Sequence, residues 1–296
     1  MFFPLLLKVF IGISYIYLEE ESRLPKISTF ENIIDKMTST DEEEALINTN
    51  NSVENVLERP QSRLWRLFHG THYMIGGLTF VSGSCMYFPS VYNTYSSAFS
   101  IGGWLFTIGS FFFLLADLQE WWYYRVGCCF DRKYLDIFEQ QNSLAFRHDS
   151  TTLQGRYERA EVGINFFVSA CGSALYLAGS ILFIPFFDQE LVLGEWFFII
   201  GSTFIYVSQA WKVYRSGCSP TPDRRFSFAN YLNDLPALGV DGFAGIGGVF
   251  YFFGTIVFLP SISQAVAAAV LFVCGGTCFT LSGFFLQYRH HCVPHN

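Results

Sequence analysis

Charge is absent from long stretches of this chain. Residues 67–116, 162–187, 196–211 and 242–288 contain no Lys, Arg, Asp or Glu. A helix that crosses the hydrocarbon core of a bilayer needs about 20 mostly apolar residues, with roughly 17 to 25 observed. The first and last gaps are therefore long enough for two spans each, and the two middle gaps for one each. The pattern predicts an all-α polytopic membrane protein with six transmembrane helices, grouped as three tandem helical hairpins at 67–126, 161–215 and 241–289. Two cytosolic connections, 127–160 and 216–240, join the hairpins. An apolar segment at 1–18 and a polar, mostly disordered cytosolic tail at 19–66 precede them, and a short tail, 290–296, follows.

The hairpins repeat one another. Residues 76–89 (GGLTFVSGSCMYFP), 172–185 (GSALYLAGSILFIP) and 247–260 (GGVFYFFGTIVFLP) align without gaps. Each opens with Gly (Gly76, Gly172, Gly247) and then a small residue (Gly77, Ser173, Gly248). An aromatic follows (Phe80, Tyr176, Tyr251), then a second Gly (Gly83, Gly179, Gly254) and a hydroxyl (Ser84, Ser180, Thr255). A further aromatic (Tyr87, Phe183, Phe258) precedes the closing Pro (Pro89, Pro185, Pro260). A second block begins at Trp104, at Trp196 and, in degraded form, at Val270. It aligns Phe106, Phe198 and Phe272, and then Gly109, Gly201 and Gly275. Glycines two turns apart lie on one helix face, and small residues let helix backbones approach closely in lipid. These twelve Gly and Pro positions read as a helix-packing motif, with each Pro ending a first helix where the chain turns. The aromatics form a neighbouring stripe, suited either to interlocking with another helix or to facing lipid.

Composition sharpens this picture. Hydrophobic residues make up 51% and charged residues only 15%, against about 25% charged in an ordinary globular domain. The net charge of -7 owes much to an acidic tail (Glu19, Glu20, Glu21 and Asp41 to Glu44) and says little about partners. No basic patch of the kind nucleic acid binding needs is present. The eight Cys are scattered and none falls in a short turn, which argues against a disulfide framework. All 18 Lys and Arg lie in the N-terminal tail, in 125–159, in 212–225 or at the C-terminal end, while the turns 90–97, 186–193 and 261–264 have none. The positive-inside rule then puts both termini and both connections in the cytoplasm. Trp104 and Trp196 would anchor the outer interface, and Trp121, Trp122 and Trp211 the inner one. Residues 1–18 are long enough to insert, but Pro4 and Lys8 interrupt them. A Lys near a helix centre costs roughly 2.5 to 3.5 kcal/mol, so an interfacial segment is expected there rather than a seventh span.

The paired blocks G-S-x-x-F-x-P and G-x-W-x-F-x-x-G-S resemble the YrhK domain, a small two-helix membrane module. The resemblance rests on residues 179–185 with 194–202 and on 83–89 with 102–110. The third copy keeps 254–260 but has Val270 for Trp and Gly276 for Ser. It implies fold and location. The family has no assigned biochemical activity, so it supplies no catalytic residues.

Candidate chemistry is sparse. An acid within a span is a functional candidate by default, which singles out Asp117, with Glu120 one turn on, and Glu195 as transport-related positions. The bland alternatives are a headgroup or Arg125 contact for Asp117 and a solvated turn for Glu195. His69 and His72 read as interfacial. The cluster His290, His291, Cys292 and His295 has ligand types for zinc, but a structural site needs four fixed ligands and nothing completes one. No nucleotide loop, triad spacing or HExxH occurs. The expectation is a non-enzymatic scaffold without metal or cofactor. Its partners would be the lipid bilayer and either another protein or a second copy, met through small-residue helix faces. The rival reading is a small-solute or ion channel or transporter built from three parallel repeats.

Overall fold

In the computed structural model, residues 63–124, 153–218 and 226–292 are described, and all belong to one compact unit, Asn55–Asn296. The expectations for 1–18, for the tail up to residue 62, for 125–152 and for 293–296 fall outside the described residues. The described chain is helical: α1 (Arg63–Met86), α2 (Pro89–Tyr92), α3 (Ala98–Tyr124), α4 (Leu153–Leu182), α5 (Leu191–Gly217), α6 (Leu235–Phe258) and α7 (Ala265–His291), with 3-10 turns at Pro185–Glu190 and Phe228–Asp234. Among the described residues there is no strand beyond an isolated bridge between Cys218 and Phe226.

Five helices are long and apolar enough to cross a membrane: α3, α5, α6, α7 and the Ala160–Leu182 part of α4. The sixth long helix, α1, has the length but not the composition, since its first half carries Arg63, Arg66, His69, Gly70, Thr71 and His72. Six apolar spans were expected; five helices are apolar enough along their length to be one.

The six long helices run up and down and close into a ring. Each packs on its neighbours in the order α1, α3, α4, α5, α6, α7 and back to α1. The breaks at the turns follow local chemistry. Pro89 and Pro185 start the short helical turns after α1 and α4, and Pro260 lies in the turn after α6.

Glycine notches set the spacing within each hairpin. A Cβ at Gly76, Gly172 or Gly247 would stand 2.8 Å from Phe113, Ile205 or Phe279 of the partner helix. One at Gly83, Gly179 or Gly254 would meet Phe106, Phe198 or Phe272 at 2.7 to 3.0 Å. In return, Gly201 and Gly275 make room for Tyr176 and Tyr251, and Gly109 for Phe80. Each aromatic is thus a knob seated against a bare backbone, so burial and dispersion contacts replace the hydrophobic drive that lipid cannot supply.

The aromatic stripe faces the ring axis. Phe80, Tyr176 and Tyr251 are fully buried and form a triangle with ring centroids 5.2, 5.8 and 6.0 Å apart. Tyr87, Phe183 and Phe258 make a second triangle two turns away, with sides of 5.8, 6.1 and 6.1 Å. Side chains fill the axis at both levels. The hydroxyls between them turn back on the helix: Ser84, Ser180 and Thr255 donate to the carbonyls of Phe80, Tyr176 and Tyr251. Further bonds join Ser84 to Tyr251, Ser110 to Ser180 and Tyr176 to Ser202 at 2.8 to 2.9 Å.

Candidate functional site

Polar chemistry gathers at the end of the ring opposite the intra-hairpin turns. The registers of α3, α5 and α7 explain why. Two turns beyond the aligned Ser110, Ser202 and Gly276 come Asp117, Gln209 and Gly283, and one turn further Glu120, Lys212 and Leu286. Neighbouring hairpins therefore place different groups at equivalent heights.

At the α3–α4 seam, Asp117 is 3% exposed and accepts hydrogen bonds from Ser169 at 3.0 Å and from Ser173. Lys212 of α5 reaches across α4, its ammonium 4.4 Å above the Phe166 ring, to Glu120 Oε2 of α3 at 3.0 Å. At the α7–α1 seam, His69 Nδ1 and His290 Nε2 share a hydrogen bond of 3.3 Å, which requires one of the two nitrogens to be unprotonated. Arg66 donates to the His290 carbonyl at 3.2 Å, and His69 Nε2 lies 3.7 Å from Glu120 Oε1. Arg289 binds Asp234 Oδ2 through Nε and Nη2 at 3.1 and 2.7 Å, and Asp234 also caps α6 by accepting from Ala237 N–H. The result is a clamp. Charged and polar groups from all three hairpins are paired in a poorly solvated layer, where breaking a pair leaves an uncompensated charge.

The α5–α6 seam is the exception. The residues aligned with Ser169 and Ser173 are Ala244 and Gly248, which have no hydroxyl. Gln209, 1% exposed, has an Oε1 with no hydrogen-bond partner. Asp241 of α6 makes no close hydrogen bond or ion pair among the described residues, although the charges of Lys212 and Arg289 act on it through space.

The candidate residues separate clearly. Asp117 does not reach outward to headgroups; it turns into the seam, and Arg125 lies outside the described residues. Glu195 is not in a solvated turn. It occupies the first turn of α5 on the inward face, is fully buried, and neither carboxylate oxygen has a partner. Its counterparts, Gly103 and Ala269, are also buried, so the position belongs to a tight contact that a carboxylate happens to occupy. His69 is buried in the bundle against Trp65 and His290, and His72 lies beside Phe68 and Phe112. Trp104, Trp196, Trp122 and Trp211 point outward and are exposed, while Trp121 lies against Phe167. Lys212, Asp241 and Gln209 were not singled out from sequence. Extending the repeat alignment to the helix ends would have shown Glu120 and Lys212 at equivalent positions and opposite in charge.

These features define a class: a ring of helical hairpins, apolar outside and packed on glycine notches within. The model of the family described as YrhK-like protein matches residues 63–118 and 155–215, and these are the first two hairpins, so the chain carries two YrhK-like regions. The third hairpin lies outside the match, in keeping with its replaced Trp and Ser. No curated protein and no solved structure matches the chain.

Proposed function

We propose that the chain is a six-span membrane scaffold without enzymatic activity, which presents its outer helix faces to lipid and to other proteins. The observation that carries this reading is the filled axis. Two aromatic triangles close the centre of the ring, and the hydroxyls that a transport path would use are bonded to backbone carbonyls and to one another. Transporters place polar groups along an accessible midplane path, and the packing here counts against one.

α1 supplies the sixth span. Its 24 residues rise about 36 Å at 1.5 Å per residue, enough to cross a core about 30 Å thick. Its polar first half faces the clamp rather than lipid at His69 and Arg66. With the positive-inside rule, the clamp end is cytoplasmic, as are both termini.

The test is flux. Vesicles reconstituted with the purified full chain should pass potassium, chloride and glycerol no faster than protein-free vesicles. Saturable flux that Ser180→Leu and Ser202→Leu abolish would establish the transport reading instead.

A further inference from the structure

The three seams between hairpins are built on one plan but filled differently. At the α3–α4 seam Phe167 lies against Trp121, with ring centroids 6.1 Å apart. At the α7–α1 seam Met74 fills the space above Gly283, its Sδ 3.0 Å from where a Cβ would stand. The residues aligned with Phe167 and Met74 at the α5–α6 seam are Gly242 and Gly245. A Cβ at Gly242 would meet nothing within 4 Å, and one at Gly245 only the Gln209 Cβ.

The missing side chains leave a cleft of about 360 Å³ between α5 and α6, walled by Tyr206, Tyr214, Phe226, Asp241, Gly242 and Gly245. That volume falls within the roughly 300 to 1,000 Å³ of small-ligand pockets. The cleft opens on the outer face of the ring, where Tyr206, Tyr214, Phe226 and Ile246 are exposed. It runs from the bilayer depth of Tyr206 and Ile246 to the clamp end, where the Phe228–Asp234 turn closes it through Tyr231, whose hydroxyl donates to the Val213 carbonyl. Its wall is mainly apolar, with Asp241 lining it toward that end and making no close hydrogen bond or ion pair among the described residues. Behind Gly245 sits Gln209, buried and with an unpartnered acceptor. The equivalent seam satisfies its own acid with two serines. Here Gln209 Oε1 and Asp241 have no hydrogen bond among the described residues, because the nearby cations Lys212 and Arg289 are bonded to Glu120 and Asp234.

We infer that this cleft binds a cytoplasmic-leaflet phospholipid with a primary-amine headgroup, one acyl chain lying along the glycines and the ammonium donating to Asp241. The chain replaces the Phe167 and Met74 side chains that close the other two seams. Lys212 and Arg289 act on Asp241 through space, but each is bonded to another acid, Glu120 and Asp234, so the ammonium supplies the hydrogen-bond donor that Asp241 lacks. The proposal rests on the membrane placement above and not on the absence of transport.

The experiment uses the full chain in phosphatidylcholine vesicles doped with a diazirine-tailed phosphatidylethanolamine. Flotation with the lipid before photolysis tests the membrane placement separately, and failure to float overturns both readings. After photolysis, peptide mass spectrometry should find adducts concentrated at Tyr206, Tyr214 and Phe226. Gly242→Phe, which installs the residue found in the second hairpin where space is open, should lose these adducts while the thermal midpoint is kept. Asp241→Asn should keep the adducts but lose the preference for the ethanolamine probe over a choline probe with the same tail. Adducts spread evenly over the three seams, or adducts indifferent to Gly242→Phe, would overturn the proposal. So would a cleft that crosslinks to residues 219–225 or to the N-terminal segment in place of lipid.

Discussion

Gly275→Ala is the smallest change that tests whether glycine notches hold the ring together. A Cβ there would stand 2.6 and 2.7 Å from Tyr251 Cδ2 and Cε2, and 3.1 Å from the Gly247 carbonyl of the facing helix. The Tyr251 ring has nowhere to go. It stacks on Phe272 and Phe279 at 5.4 and 5.5 Å, meets Phe80 edge-on at 5.2 Å, and is tied by its hydroxyl to Ser84 at 2.9 Å. Helix propensity alone favours Ala over Gly by about 1 kcal/mol. Forcing a methyl into a packed interior costs about 1 to 3 kcal/mol, and here it also presses two backbones apart. That backbone contact puts the cost in the upper part of the range, about 2 to 3 kcal/mol, so the expected net effect is a loss of about 1 to 2 kcal/mol. It is read by reversible unfolding of the full chain in mixed micelles at increasing dodecyl sulfate fraction, followed by circular dichroism. Gly242→Ala is the control, since its Cβ enters open space; it should be neutral or stabilising by up to about 1 kcal/mol. A Gly275→Ala protein as stable as the wild type, or a Gly242→Ala protein equally damaged, would refute the notch argument.

Three further outcomes follow from the same geometry. Glu195→Ala, which installs the residue found at the aligned position 269, should raise stability by about 1 to 3 kcal/mol because it removes a buried carboxylate with no partner; a lower midpoint in the same micelle assay would show that the carboxylate is paired. Lys212→Met should cost about 3 to 5 kcal/mol by stranding Glu120, and the Lys212→Met, Glu120→Gln double variant should recover most of it, so additive losses in that cycle would deny the pair. Tyr251→Phe removes the hydroxyl bond to Ser84 but no ring contact and should cost about 0.5 to 1.5 kcal/mol; a larger loss would mean that the hydroxyl, rather than the ring, organises the axis.

The hairpins and their packing motif were legible because they are local. Glycine spacing, the closing Pro and the uncharged runs lie within one helix or one turn of sequence. The role of the aromatic stripe was not, because either lipid or another helix could satisfy it. Only ring closure, a matter of which helices become neighbours, turns Phe80, Tyr176 and Tyr251 to a common centre. The same reason hides the clamp. His69 and His290 meet across the junction of the first and last helices, and nothing near either residue announces the other. Glu195 misled because its neighbours Asp188 and Glu190 are polar turn residues, whereas its place on the first turn of α5 faces inward. α1 shows the converse: its composition falls short of an apolar span because His69 and Arg66 are spent on contacts within the bundle.

The claim on which the account most depends is that the ring axis is dry. It is tested by the isosteric substitutions Ser110→Cys and Ser180→Cys, made in a chain whose own cysteines are replaced, with Tyr95→Cys in the exposed outer turn as a positive control. A charged, membrane-impermeant methanethiosulfonate reagent is applied to sealed vesicles from each side. Packed as the structure has them, the Ser110 and Ser180 positions should stay unmodified from both sides while position 95 reacts. Rapid modification at position 180 from either side, at a rate near that of position 95, would mean a water-filled axis and contradict the account.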